Sequence, residues 1–424
     1  MKLYPVLICL IVSAFTNNSF GEDWKQFRGP GGLGTSSETG LPVKWSSTEN
    51  VVWKSELPGY GSSSPTTLGD RIYLTCYNGY GLKPSEGDDE NLKRFVVCLD
   101  RGKGSIIWKQ EFQPELPESD YNGGNNARHG YSTSTIATDG THLFVFFGKS
   151  GVYCLDLDGK TIWQTKVGSG TRGWGSGASP VLYKDLLIVN ASVESQTIYA
   201  LDKSNGKEVW SIGRIRGVWN TPLLVENPAG KMELVYCLPE KIVAVDPDSG
   251  DELWTCEGIP DRGYICPSAV ANDGIVYVIG GRKNTAIAVR SGGSGDVSET
   301  HVLWRTGRGS NVSSPVYYEG HIYWFHERRG VVYCLNAENG EVVFEERLSI
   351  SPGLVYASTT VVDGKLYCVS QYNGAFVVAA KPEFEELAHN QFEDDASRTN
   401  ASPVVSNGQL LLRSDQYLYC IGEN

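Results

Sequence analysis

Residues 98–108 read Cys-Leu-Asp-Arg-Gly-Lys-Gly-Ser-Ile-Ile-Trp. The same frame returns at 200–210 as Ala-Leu-Asp-Lys-Ser-Asn-Gly-Lys-Glu-Val-Trp and at 244–254 as Ala-Val-Asp-Pro-Asp-Ser-Gly-Asp-Glu-Leu-Trp. A fourth copy, Cys334-Leu-Asn336 to Gly340 and Phe344, ends in Phe. Cys154-Leu-Asp156 to Gly159 and Trp163 is one residue shorter, and Ala288-Val-Arg290 reaches Trp304 only after an insertion. Each position has a physical reason. A small Cys or Ala lets strands pack closely. Asp or Asn accepts backbone N–H groups in the turn that follows. Gly supplies a positive φ, and Trp offers a large apolar face to the neighbouring unit.

The aromatic ends Trp53, Trp108, Trp163, Trp210, Trp254, Trp304 and Phe344 are separated by 55, 55, 47, 44, 50 and 40 residues. Such a period holds four short strands and their turns, which is one propeller blade. First strands start near Pro65, Thr133, Pro180, Pro222, Pro267, Pro315, Thr359 and Pro403. The last unit, 402–421, has room for three strands, and Val51-Val52-Trp53 is a fourth strand without partners. The chain is therefore expected to be all-β: an eight-bladed β-propeller of four-stranded antiparallel blades, closed by the N-terminal strand joining the C-terminal blade. Unit 7 lacks the Asp and Gly, which leaves a count of seven open, and its fourth strand must fall near 384–392. Polar insertions at 81–92, 113–126 and 291–300 read as surface loops.

Composition agrees. The 424 residues include 49 Gly, 22 Tyr and 11 Trp but only 2 Met, which suits strands and tight turns. A net charge of −12 argues against nucleic acid as a partner. Residues 1–21 read as a signal peptide, one Lys and a short apolar run cut near Gly21, which implies a secreted or periplasmic protein with no transmembrane segment. Residues 22–50 are expected to pack on the propeller through Trp24, Phe27 and Trp45, with the propeller itself over 51–424. A monomer is expected. Ten Cys form no Cys-x-x-Cys, and Cys256 and Cys266 pair only if their strand ends meet.

The Ala/Cys-x-Asp-x-x-x-Gly-x-x-x-Trp element resembles the tryptophan-docking motif of the pyrroloquinoline-quinone (PQQ) repeat superfamily, over roughly residues 22–421. That superfamily includes quinoprotein alcohol dehydrogenases and the non-catalytic BamB-type lipoprotein. The resemblance implies the propeller fold and leaves the function among its members open. PQQ with Ca²⁺ is the cofactor it suggests. Quinoprotein dehydrogenases commonly carry an adjacent-Cys disulfide, which this chain lacks, and calcium ligands cannot be matched residue by residue. No cofactor and no metal ligand are therefore assigned.

A second repeat precedes the first strands: Arg172-Gly173-Trp174, Arg216-Gly217-Val218-Trp219, Arg262-Gly263-Tyr264 and Arg308-Gly309, with Arg128 and Arg398 in looser copies. Loops that enter the innermost strands lie at one mouth of a propeller. The spacing thus places Arg128, Arg172, Arg216, Arg262, Arg308 and Arg398 around that mouth, interleaved with Tyr60, Tyr131, Trp174, Trp219 and Tyr264. Such a funnel would favour an anion; alternatively, each Arg pairs within its own blade and was copied with the repeat. The expected function is a non-catalytic binding or scaffold propeller of the cell envelope, whose partner is an envelope protein or a small anionic or saccharide ligand. A PQQ-dependent dehydrogenase and a carbohydrate-binding propeller are the alternatives.

Overall fold

The computed structural model describes residues 22–82, 87–119, 129–172 and 174–423. Residues 1–21, on which the expected signal peptide falls, Arg128 and parts of the first two insertions lie outside the described residues. Eight antiparallel four-stranded sheets form the ring, two of them extended by a further short strand. Their innermost strands are Thr66–Leu68, Ala137–Thr138, Val181–Tyr183, Leu223–Glu226, Val270–Asn272, Val316–Tyr318, Thr360–Val362 and Val404–Ser406, which define blades 1 to 8 in chain order. Two of these strands begin later than the sequence reading placed them: blade 2 starts past Thr133 and blade 5 past Pro267. Val51–Glu56 pairs antiparallel with Tyr417–Ile421, with Trp53 opposite Cys420, so the two chain ends share blade 8.

Burial explains why the blades stand side by side. Middle strands such as Arg71–Asn78 are buried on both faces over most of their length, whereas outer strands such as Thr161–Thr165 are largely exposed. Each blade sandwiches its apolar faces between two neighbours and returns free energy on the order of 25 cal/mol per Å² of apolar area removed from water. The docking Trp locks this arrangement. Trp53 Nε1 donates to Arg101 O at 2.9 Å, and its ring covers Gly104, which has φ 70°. A Cβ there would run into the ring. Trp108, Trp163, Trp210 and Trp304 repeat the bond to the carbonyls of Leu157, Lys203, Pro247 and Ala337.

Three blades depart from the pattern, and blade 6 does so simply because the Phe344 ring has no N–H to give. Trp254 donates instead to buried Glu233 Oε2 at 2.7 Å. The reason is the 291–300 insertion, part of which is not a loop: Gly295–Asp296 forms a short parallel strand along Trp254 and Thr255. Blade 7 has the outer strand Glu386–Asn390, inside the expected window and without a Trp. The N-terminal segment supplies the missing aromatic: Trp45 N donates to Asn390 Oδ1 at 3.0 Å and its ring stacks 6.3 Å from Tyr367. Cys256 and Cys266 are both free thiols.

The same segment crosses one end of the channel. Lys25 O, Trp24 O and Gly34 O accept from Thr138 N, Thr67 N and Val361 N, on the innermost strands of blades 2, 1 and 7. Innermost strands are edges, and this segment satisfies N–H groups that would otherwise face the axis. Among the described residues no helix is long and apolar enough to cross a membrane.

Candidate functional site

A ring of hydroxyls encircles the open end of the channel. Ser64, Thr135, Ser179, Thr221, Ser268, Ser314, Ser358 and Ser402 each stand two or fewer residues before an innermost strand. The backbone N–H of one donates to the hydroxyl of the next: Ser64 to Thr135, Thr135 to Ser179, Ser179 to Thr221, Thr221 to Ser268 and Ser268 to Ser314, all at 3.0 Å. Ser358 donates to Ser402 at 2.9 Å and Ser402 back to Ser64 at 3.1 Å. Only the step from Ser314 to Ser358 is open. Pro follows the hydroxyl in five of the eight copies, where a missing N–H at the first residue of an edge strand costs nothing. The recurring Ser-Pro and Thr-Pro pairs were the sequence signal for this ring; their hydroxyls went unread as a set.

Above the ring lies a cavity of about 260 Å³ whose wall includes Trp174, Trp219, Tyr264, His129, Arg328 and Tyr356, with Phe27 of the N-terminal segment at its floor. Three of the five aromatic residues expected at the mouth do meet. Trp174 lies 4.4 Å from Tyr264 and 5.1 Å from Trp219, centroid to centroid. Trp219 Nε1 donates to Gly175 O at 2.8 Å, and Tyr264 OH accepts from Asn311 Nδ2 at 2.6 Å. Buried Asp261 holds Arg282 bidentately at 2.9 and 3.1 Å, and that guanidinium lies 5.8 Å over the Tyr264 ring. The Arg282 hydrogen bonds hold the Asp261 carboxyl well below the usual carboxylate range. Tyr60 and Tyr131 are not part of this trio; both pack edge-on against Tyr77.

The arginines behave differently. None of the five described, Arg172, Arg216, Arg262, Arg308 and Arg398, is in the cavity wall. Arg216 donates to Gln196 Oε1 at 2.6 Å, Arg262 to Glu240 Oε1 at 3.2 Å and Arg308 to Glu345 Oε2 at 2.6 Å. Arg172 is exposed on the rim, and its carbonyl accepts from Ser119 Oγ. Arg398 is buried against Asp415, Nε to Oδ2 3.0 Å. The local acceptors pull these guanidinia off the axis, those of Arg216 and Arg262 onto turns and that of Arg308 onto the outer strand Val342–Arg347. The cation that does line the cavity, Arg328, sits outside the repeat pattern that drew attention to the others. Beside it, Glu327 Oε2 accepts from Ser310 Oγ and Asn311 N at 2.9 and 3.0 Å. His129 Nδ1 lies 2.7 Å from Thr133 Oγ1, and burial pushes its imidazole down to about 4, so it is neutral at pH 7.

Comparison with known proteins places this geometry in a family. The family model described as outer membrane protein assembly factor BamB matches residues 93–346 and 295–420. The tetrathionate hydrolase of Acidithiobacillus ferrooxidans is 22% identical over 365 residues, covering 79% of this chain and 68% of that protein. The crystal structure of BamB from Moraxella catarrhalis superposes with a TM-score of 0.58 at 15% identity, over 88% of this chain and 97% of the other. The quinohemoprotein alcohol dehydrogenase of Comamonas testosteroni gives 0.59 at 11% identity, over 95% and 81%. Both likenesses to solved structures concern the fold.

Proposed function

The chain belongs to the PQQ-like repeat family whose model is described as outer membrane protein assembly factor BamB, and we propose that it works as a non-catalytic binding or scaffold propeller of the cell envelope. The observation that carries this reading is the asymmetry of the channel. The N-terminal segment crosses one end, and the other presents an aromatic trio inside a rim of exposed arginines. Aromatic and Arg side chains are what protein-docking surfaces concentrate. Envelope proteins are the partner class suggested by the BamB relatives.

PQQ with Ca²⁺ does not suit the donor set of the wall. Calcium takes about 6–8 oxygen ligands, several of them carboxylate. Among the described residues, the wall's one carboxylate, Glu327, is engaged with Ser310 and Asn311, and no three His, Cys, Asp or Glu groups converge. PQQ also carries three carboxylates, against a single guanidinium, Arg328, in the wall.

Photo-crosslinking in cells tests the reading. A crosslinking residue at Arg216 or Arg262 should yield discrete adducts with an envelope protein. One at Asp273 or Glu319, on the hairpins at the crossed end, should not. Equal labelling from both ends, or alcohol-dependent dye reduction by purified protein supplied with PQQ and Ca²⁺, would overturn it.

A further inference from the structure

The one break in the hydroxyl ring coincides with an uncompensated charge. Arg28, in the segment that crosses the channel, is fully enclosed, and no carboxylate pairs with it among the described residues. Its Nη2 donates to Leu33 O at 3.1 Å and to Pro315 O, while Nε and Nη1 are buried with no partner. Burial pushes the guanidinium down to about 9. Pro315 directly follows Ser314. On the other side, a Cβ added to Gly34 would run into both the Arg28 guanidinium and the Thr359 carbonyl, so the two lie close to one another there, and Thr359 directly follows Ser358. Arg28 therefore sits under the step between Ser314 and Ser358, where the ring bond is missing.

Donors without acceptors accumulate at that step. The Ser314 N–H makes no ring bond there, and the Ser358 hydroxyl receives none. The Thr359 hydroxyl is buried with no partner. The ring hydroxyls of Ser268, Ser314 and Ser402 accept an N–H each and keep their own protons to give. A buried donor left unused keeps the full penalty of its lost hydration, and an unpaired buried cation keeps a larger one. An arrangement of donors with no acceptor and a positive charge with no counter-charge is complementary to an acceptor-only, negatively charged group.

We propose that the channel floor at the junction of blades 6 and 7 is a site for one small oxyanion, held by the Ser314 N–H and the Ser358 hydroxyl over the charge of Arg28. The group is a sulfate, phosphate or carboxylate, free or as the end of a larger ligand whose body would lie against Trp174, Trp219 and Tyr264. This goes beyond the docking reading, which uses the exposed rim and not the floor.

Calorimetric titration of the purified chain with sodium sulfate, against sodium chloride at matched ionic strength, tests it. A saturable one-to-one heat is expected with sulfate and not with chloride. Arg28→Met should abolish that heat while melting no lower than wild type in sulfate-free buffer, because it removes a buried charge that lacks a partner. Ser358→Ala, whose hydroxyl carries no ring bond, should weaken sulfate about tenfold. It decides the matter should Arg28→Met fold poorly. No saturable sulfate heat, wild-type sulfate affinity in Ser358→Ala, or binding of maltose in place of sulfate would overturn the site. Rim crosslinks should survive both substitutions, so failure here leaves the docking reading standing and failure there leaves this one.

Discussion

At the rim of the channel, Arg262 is 89% exposed and spends its guanidinium on Glu240, itself half exposed. At the floor, Arg28 is enclosed and has no carboxylate beside it. Between them, Arg398 and Asp415 form a pair in which each side chain is 6% exposed. The three positions carry the same functional group in three dielectric settings. Water screens the first, so its removal changes little. In the third, loss of one partner takes a buried counter-charge away from the other. The repeat copied the rim arginines into places where charge is well solvated, while the energetically costly charges fall outside the repeat or at its degenerate end.

The largest effect should come from splitting the buried pair. Asp415 also accepts from Gly61 N at 3.3 Å, and Arg413 lies nearby, donating to Ser63 O at 2.8 Å. Asp415→Asn removes the carboxylate charge that faces Arg398 in this buried setting and should cost about 3–5 kcal/mol, read as a drop in the urea midpoint at unchanged m-value. A drop no larger than that of a rim variant would erase the distinction between the two settings.

Next in size is a pH effect at the foot of the loop that carries Trp174. Glu194 is buried; its Oε1 accepts from Ser176 Oγ, its backbone carbonyl from Gly170 N at 2.8 Å, and its Oε2 has no partner. Burial raises its carboxyl to about 7. Between the unfolded value near 4.5 and that folded value, the native state holds a proton that the unfolded state has released. Stability therefore falls as pH rises through this window, by about 3 kcal/mol in all. Glu194→Gln should flatten this slope in melts taken from pH 4.5 to 8. An unchanged slope would place its cause elsewhere.

A single ring link should be worth less. Ser402→Ala removes the acceptor of the Ser358 N–H and should cost about 1–2 kcal/mol, measured by chemical denaturation. Neutrality would mean that water replaces the hydroxyl and that the ring adds nothing to closure.

Much of this molecule could be read in its sequence, and the reason is repetition. Gly104 under Trp53 and Asp100 in its turn recur in most units because each is a local requirement of one blade, and eight copies and the shared blade 8 follow from counting the first-strand starts, even though unit 7 has lost the Asp and Gly. The aromatic trio was legible for the same reason: Trp174, Trp219 and Tyr264 occupy one slot. What resisted reading depends on contacts between distant segments. Nothing near Arg28 in the chain says that Pro315 will cap it. The 291–300 insertion gives no sign that it will pair with Trp254 and divert that indole to Glu233. Arg216 and Arg262 repeat perfectly, yet repetition fixes the loop and not the direction of a long side chain, which Gln196 and Glu240 settle.

The rim supplies the smallest expected change and thereby the sharpest test of the contrast. Arg172, Arg216 and Arg262 are exposed, and the acceptors of the last two lie on surface loops. Exposed pairs of this kind contribute about 0–1 kcal/mol each and less at physiological salt. The triple change to Ala should therefore leave the melting temperature within about 2 °C of wild type for a chain of this size. It should also remove three positive charges from the one mouth that is open to partners. If docking runs through that mouth, the association rate with the crosslinked partner should fall and lose much of its salt dependence, while the dissociation rate changes less, as expected for charges that steer and do not anchor. A triple variant that melts several degrees lower would show instead that these arginines hold the loops. The cationic rim would then be a feature of the fold, and the search for the partner surface would move to the aromatic trio inside it.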